Sequence, residues 1–118
     1  MKSTTIIALF CLQFFTGCNV ELPMAESGFT ATTFVKLDSP NKTELSPTQI
    51  KTLTEWFAAR QVGWKYKIAD FYPDRVLGFR HARGKVTWIY FAGQEVFYGS
   101  YARTLTRAER AAIEDIIH

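Results

Sequence analysis

The stretch VLGFRHARGKVTWIYFAGQEVFYGSYAR, residues 76–103, decides the fold of this 118-residue chain. It is rich in β-branched and aromatic residues, and glycine-containing segments, ARGK and AGQE, break it into three. β-branched and aromatic side chains suit a pleated, half-buried surface, and short glycine-bearing connections suit tight hairpins. The stretch therefore predicts a three-stranded antiparallel meander, with VFYGSYAR as its last strand. Centring the turns on Arg83-Gly84 and Gly93-Gln94 pairs His81 with Val86 and Phe91 with Val96. Directly opposed residues share a face. One face then carries Leu77, Phe79, Val86, Trp88, Tyr90, Phe97 and Tyr101. It is the more apolar, and it is assigned to the core. The other carries Val76, Arg80, Thr87, Ile89, Phe91, Val96, Tyr98 and Ser100.

Outward from the meander lie two helices. In LSPTQIKTLTEWFAARQ, from Leu45, Ser46 is an N-cap, Pro47 suits the first helical position and Gln49 completes a capping box. Leu45 and Ile50 stand at the positions of a hydrophobic staple. Ile50, Leu53, Trp56 and Phe57 form one apolar stripe. At the C-terminus, Thr106 and Glu109 form a second capping box, followed by a stripe of Ala112, Ile113, Ile116 and Ile117. WKYKIAD, from Trp64, alternates as a half-buried strand does, with Trp64, Tyr66 and Ile68 on one side. FTATTFVKL, from Phe29, reads as another strand, and DSPNKTELSP as a loop. The expected fold class is α+β: an antiparallel sheet of four to five strands with two helices packed on one face.

The first residues concern location. Lys2 precedes an apolar run from Ile6 to Phe15 that is broken once at Gln13. The run is about ten residues long, and a membrane-spanning helix needs about 20. A charged start, an apolar middle and small residues at the end is the layout of an export signal. The ending Phe15-Thr16-Gly17-Cys18 resembles the lipobox of bacterial lipoproteins, with Phe15 where Leu, Val or Ile is usual. The resemblance covers residues 1–18 only. It implies cleavage ahead of Cys18 and lipid on its sulfur, so that lipid on Cys18 holds the protein to a membrane. It divides the chain into a signal peptide (1–17), a lipidated tether (18–28) and a single α+β domain (29–118). Ten extended tether residues would reach about 33 Å. Removing 1–17 takes away Cys11 and leaves Cys18 as a lone thiol, which attachment of lipid explains. Asn19, rather than Asp, follows the cysteine. By the same resemblance this favours the periplasmic side of the outer membrane over the inner membrane.

Composition narrows the function. The formal net charge is +3, and basic and acidic residues are interspersed. A weak, scattered excess is no footprint for nucleic acid. The two histidines, His81 and His118, stand at no metal-ligand spacing. Asp70 and Asp74 bracket a Phe-Tyr-Pro turn and read as turn caps. Ser100, in YGSYA, does not sit in a nucleophile elbow. Neither a cofactor nor a catalytic group is expected. Two short helices cannot cover both faces of so aromatic a sheet, and an exposed apolar patch marks an interaction site. The expectation is a non-catalytic, membrane-tethered module of the cell envelope, an assembly accessory or an inhibitor. It would bind an envelope protein through Arg80, Thr87, Ile89, Tyr98 and Ser100. Arg107 and Arg110, in the first turns of the last helix, offer a second, basic surface. The alternative is a glycan-binding protein or glycan-acting enzyme that uses the sheet aromatics with Asp70 and Asp74.

Overall fold

A computed structural model describes residues 19–32, 41–68 and 70–118. Cys18, the lipobox and the end of the first expected strand lie outside the described residues. The class is α+β. Seven antiparallel strands form one sheet: β1 (Ser27–Ala31), β2 (Thr43–Glu44), β3 (Lys65–Tyr66), β4 (Arg75–Arg80), β5 (Val86–Ala92), β6 (Glu95–Tyr98) and β7 (Tyr101–Thr104). Their spatial order is β2-β1-β4-β5-β6-β7-β3, and the helices are α1 (Pro47–Ala58) and α2 (Arg107–Ile117). The expected four to five strands become seven for two reasons. Thr43–Glu44, in the expected loop, pairs with β1. VFYGSYAR folds back on itself, with Tyr98 opposite Tyr101 and Gly99-Ser100 as a two-residue hairpin loop. Gly99 takes a φ of 57° there and Gly93 one of 60° in the preceding hairpin, the left-handed conformation that such tight turns require.

Both helices pack on one face. Ile50, Leu53 and Phe57 from α1 and Ile113 and Ile117 from α2 meet Leu77, Phe79, Ile89, Phe91 and Val96 in one buried cluster. Both capping boxes form as expected. The Ser46 hydroxyl accepts from the Gln49 N–H at 3.1 Å, and Gln49 Oε1 accepts from the Ser46 N–H at 2.7 Å. Thr106 and Glu109 do the same at 3.0 and 2.9 Å. Each box also ties the helices together. Gln49 Nε2 donates to the last carbonyls of α2, Ile116 and Ile117, at 3.1 and 2.8 Å. Glu109 Oε2 accepts from Arg60, just past α1, at 2.8 Å. The N-terminus of each helix thus meets the C-terminus of the other, so the pair is antiparallel.

Three expectations are corrected. The first is the register. Arg80, not His81, pairs with Val86. The connection runs from His81 to Lys85, closed by a His81 N–H to Lys85 carbonyl bond of 2.7 Å, with Arg83 and Gly84 both left-handed at φ 65° and 74°. A slip of one residue moves a strand's side chains to the opposite face. β5 and β6 are therefore flipped relative to the expected core. Leu77 and Phe79 do face the helices, but with Ile89, Phe91 and Val96 rather than with Val86, Trp88, Tyr90 and Phe97.

The second concerns the tether. Val20 and Leu22 are buried in the core cluster, and the Val20 N–H donates to the Gln61 carbonyl at 2.6 Å. The segment after Asn19 is part of the domain. The third concerns the strand at Trp64. Only Trp64 is buried, its indole N–H on the Arg60 carbonyl at 2.8 Å, whereas Tyr66 and Ile68 are exposed.

Candidate functional site

The face of the sheet turned away from the helices is a band of aromatic rings. Register places Phe29, Gly78, Trp88 and then Tyr90 and Phe97 on it from neighbouring strands. Trp88 and Tyr90 stand two apart on β5, so the pleat directs both the same way. Their planes lie within 2° of parallel, with centroids 6.4 Å apart. Phe29 is fully buried at one end of the band, edge-on to Trp88 at 5.5 Å. At the other end Phe71, from the connection before β4, lies flat on Phe97 with centroids 4.1 Å apart. Gly78 makes room for this arrangement: a Cβ there would come within 2.3 Å of the Phe29 ring.

Between the two ends opens a groove of about 460 Å³ bordered by Phe71, Val86, Thr87, Trp88, Tyr90, Phe97, Tyr98 and Gly99. Val86, Trp88 and Tyr90 are half-buried. Burial pushes the Tyr90 phenol above its ordinary pKa. Paired cations frame the band. Arg80 forks onto Glu44 at 2.7 and 2.6 Å and lies over the Phe29 ring. That fork holds the Glu44 carboxyl below its usual range. Lys67 meets both oxygens of Glu95 at 2.8 and 2.7 Å, with its ammonium 5.9 Å from the Phe97 centroid.

The residues assigned from sequence to a partner-binding face divide between the two sides of the sheet, although Thr87 and Tyr98 also border the groove. Arg80 is on the open face, bonded also to Ser27. Thr87 and Ile89 are buried on the helix side, where the Thr87 hydroxyl lies 2.6 Å from His81 Nε2. Tyr98 packs against the helix-side core and borders both the cleft with Leu22 and Phe57 and the aromatic groove. Ser100 is exposed in its hairpin loop. The one-residue slip explains the split: it turns Thr87, Ile89 and Tyr98 to the helix side and Val86, Trp88, Tyr90 and Phe97 to the open side, while Arg80, ahead of the slip, keeps its face. Trp88 and Tyr90 were thus missed as site residues. The local signal that could have found them is the His-Ala-Arg-Gly-Lys connection, one residue longer than a centred four-residue turn.

The other sequence candidates are occupied structurally. Asp74 accepts from the Gly93 N–H at 2.8 Å and from Arg110 at 2.6 Å, which makes it the turn cap that was expected. Asp70 is exposed. Arg110 lies over Phe91 and also reaches the Gly93 carbonyl and Glu114, while Arg107 is solvent-exposed. Among the described residues, no group of three His, Cys, Asp or Glu is placed to hold a metal ion, and no helix is long and apolar enough to cross a membrane. Compared with models of protein families, with curated proteins and with solved structures, the chain finds no match.

Proposed function

We propose that this protein is a lipid-anchored, non-catalytic binding module of the bacterial cell envelope, and that its aromatic groove docks an envelope protein. One observation carries the reading: Trp88 and Tyr90 stand half-buried on the face that neither helix covers. Trp, Tyr and Arg dominate binding hot spots, because they offer large rigid area together with a polar group. Here Arg80 stands at the rim, held in place by Glu44. The lipid anchor on Cys18 and the periplasmic side of the outer membrane belong to the same proposal and rest on the lipobox resemblance.

The parallel Trp88–Tyr90 pair favours one second reading, a platform for envelope glycan. The enzyme form of that alternative gains no support, since Asp74 is committed to Arg110 and Gly93. The test is capture of envelope proteins, alongside co-sedimentation with insoluble peptidoglycan, by wild type, Trp88→Ala and Tyr90→Ala. A hot spot here weakens capture by about 2 kcal/mol, or about 30-fold, in each variant. Loss of peptidoglycan sedimentation alone selects the glycan reading. Full retention of both activities by both variants contradicts the groove.

A further inference from the structure

The first described residues leave the domain at a fixed place. Val20 is buried and bonded to Gln61, where α1 has just ended. Cys18 is two residues from Val20, and each Cα step is about 3.8 Å. Whatever joins the chain to a bilayer ahead of Asn19, lipid on Cys18 or the apolar stretch itself, brings this end of the molecule to the membrane surface.

From the same point the chain runs on through the exposed edge of the sheet. The large hydrophobic side chains most exposed among the described residues are Val62 at 60%, Tyr66 at 66%, Ile68 at 76% and Tyr72 at 92%. Val62, Tyr66 and Ile68 follow Gln61 within one short segment that spans at most about 24 Å, whereas Tyr72 lies farther on, next to Phe71, which stacks on Phe97 over the open face. Lys65 and Lys67 alternate with Tyr66 and Ile68, both lysines exposed, Lys67 being the partner of Glu95 and Lys65 the cation that the edge offers to headgroups. β3, which holds Lys65 and Tyr66, is the last strand of the sheet and pairs on one side with β7. Tyrosines sit at the headgroup level of bilayers, and lysines extend their ammonium groups toward anionic headgroups while their stems lie on apolar surface.

We infer that the sheet edge carrying Val62, Lys65, Tyr66 and Ile68 lies on an anionic lipid bilayer. The inference rests on the reading that the chain is anchored ahead of Asn19. An edge-down sheet stands upright on the membrane, which leaves the aromatic groove facing sideways into the aqueous space.

The test uses the full chain reconstituted in vesicles of phosphatidylethanolamine and phosphatidylglycerol. Ile68→Trp and Glu55→Trp, the latter on the exposed side of α1, are compared in vesicles with and without brominated lipid. The emission of the wild type, with Trp56, Trp64 and Trp88, is subtracted. The added fluorescence at position 68 falls about twofold or more with brominated lipid, as for a ring at the headgroup boundary, while that at position 55 does not change. Adding Lys65→Glu weakens the quenching at 68. Equal quenching at the two positions, or none at 68, overturns the inference. Intact mass of the same preparation reports on Cys18 separately. An unmodified Cys18 with a quenched probe at 68 overturns the lipid reading and leaves the surface standing; an acylated Cys18 with an unquenched probe does the reverse.

Discussion

Gly78 and Phe29 are one unit. The ring of Phe29 occupies the space above a glycine on the neighbouring strand, with the Lys42 and Arg80 side chains over it. A methyl group at position 78 would collide with three ring atoms, the nearest at 2.3 Å. Gly78→Ala therefore destabilises the domain by about 1–3 kcal/mol, the usual cost of overpacking, and chemical denaturation measures it. The neighbouring pair Trp88 and Ile89 tests the register directly. Ile89 is fully buried between sheet and helices, so Ile89→Ala costs about 2–5 kcal/mol. Trp88 rests edge-on against Phe29 on the open face, and Trp88→Ala loses chiefly that pair, about 0.5–1.5 kcal/mol. The opposite ranking in melting experiments would restore the register in which His81 faces Val86.

The two helices show which parts of the fold are written locally. A capping box is four residues of chemistry, so Ser46–Gln49 and Thr106–Glu109 could be read from sequence alone. Their second role could not, because it depends on the antiparallel packing of α1 on α2. Gln49→Glu separates the roles. Glutamate serves a capping box as well as glutamine does, but it cannot donate to the Ile116 and Ile117 carbonyls, which Gln49 reaches at 3.1 and 2.8 Å. It also sets a negative charge at the negative end of α2. The variant loses about 1–2 kcal/mol of stability in urea, with α1 helicity unchanged; wild-type stability would mean these bonds add nothing. The strands divide in the same way. The hairpin at Gly93-Gln94 was legible because a two-residue glycine loop fixes its own register. The His81–Lys85 connection was not, since five residues with two left-handed members shift the register and every face beyond it. Gly99-Ser100 carried a turn signal that the aromatic run on both sides masked. The burial of Val20 and Leu22 leaves no signal in a short polar segment, because only the folded helix end supplies their partners.

Across the whole molecule, ion pairs bind the sheet to α2. Glu114 accepts from Arg75 and Arg110, and Arg110 continues to Asp74, which stands just before β4 and caps the β5–β6 turn. Burial works against ionising Glu114, but the bonds and charges of Arg75 and Arg110 outweigh it and hold its carboxyl below the usual range. Burial likewise opposes ionisation of Glu109, which the Thr106 N–H, Arg60 and Arg103 together depress. A carboxyl depressed by folding contributes stability above its unfolded value, near 4.3, and loses it as pH falls through the folded value. The melting temperature therefore drops as pH falls from about 5 toward 3, and the drop is shallower in Glu114→Gln, which lacks one of the titrating groups. An unchanged acid limb in that variant would show that the network does not govern it. The same frame leaves Trp88 and Tyr90 half-buried along the groove, the surface proposed to dock a partner. The most direct measurement of that claim is photo-cross-linking, in the cells that make the protein, from a benzophenone side chain at Tyr90 and, as control, at Glu55 on α1. A groove that docks a partner gives a discrete adduct with an envelope protein from position 90, lost when Trp88→Ala is added, and none from position 55. An adduct from position 55 with none from position 90 would contradict the claim.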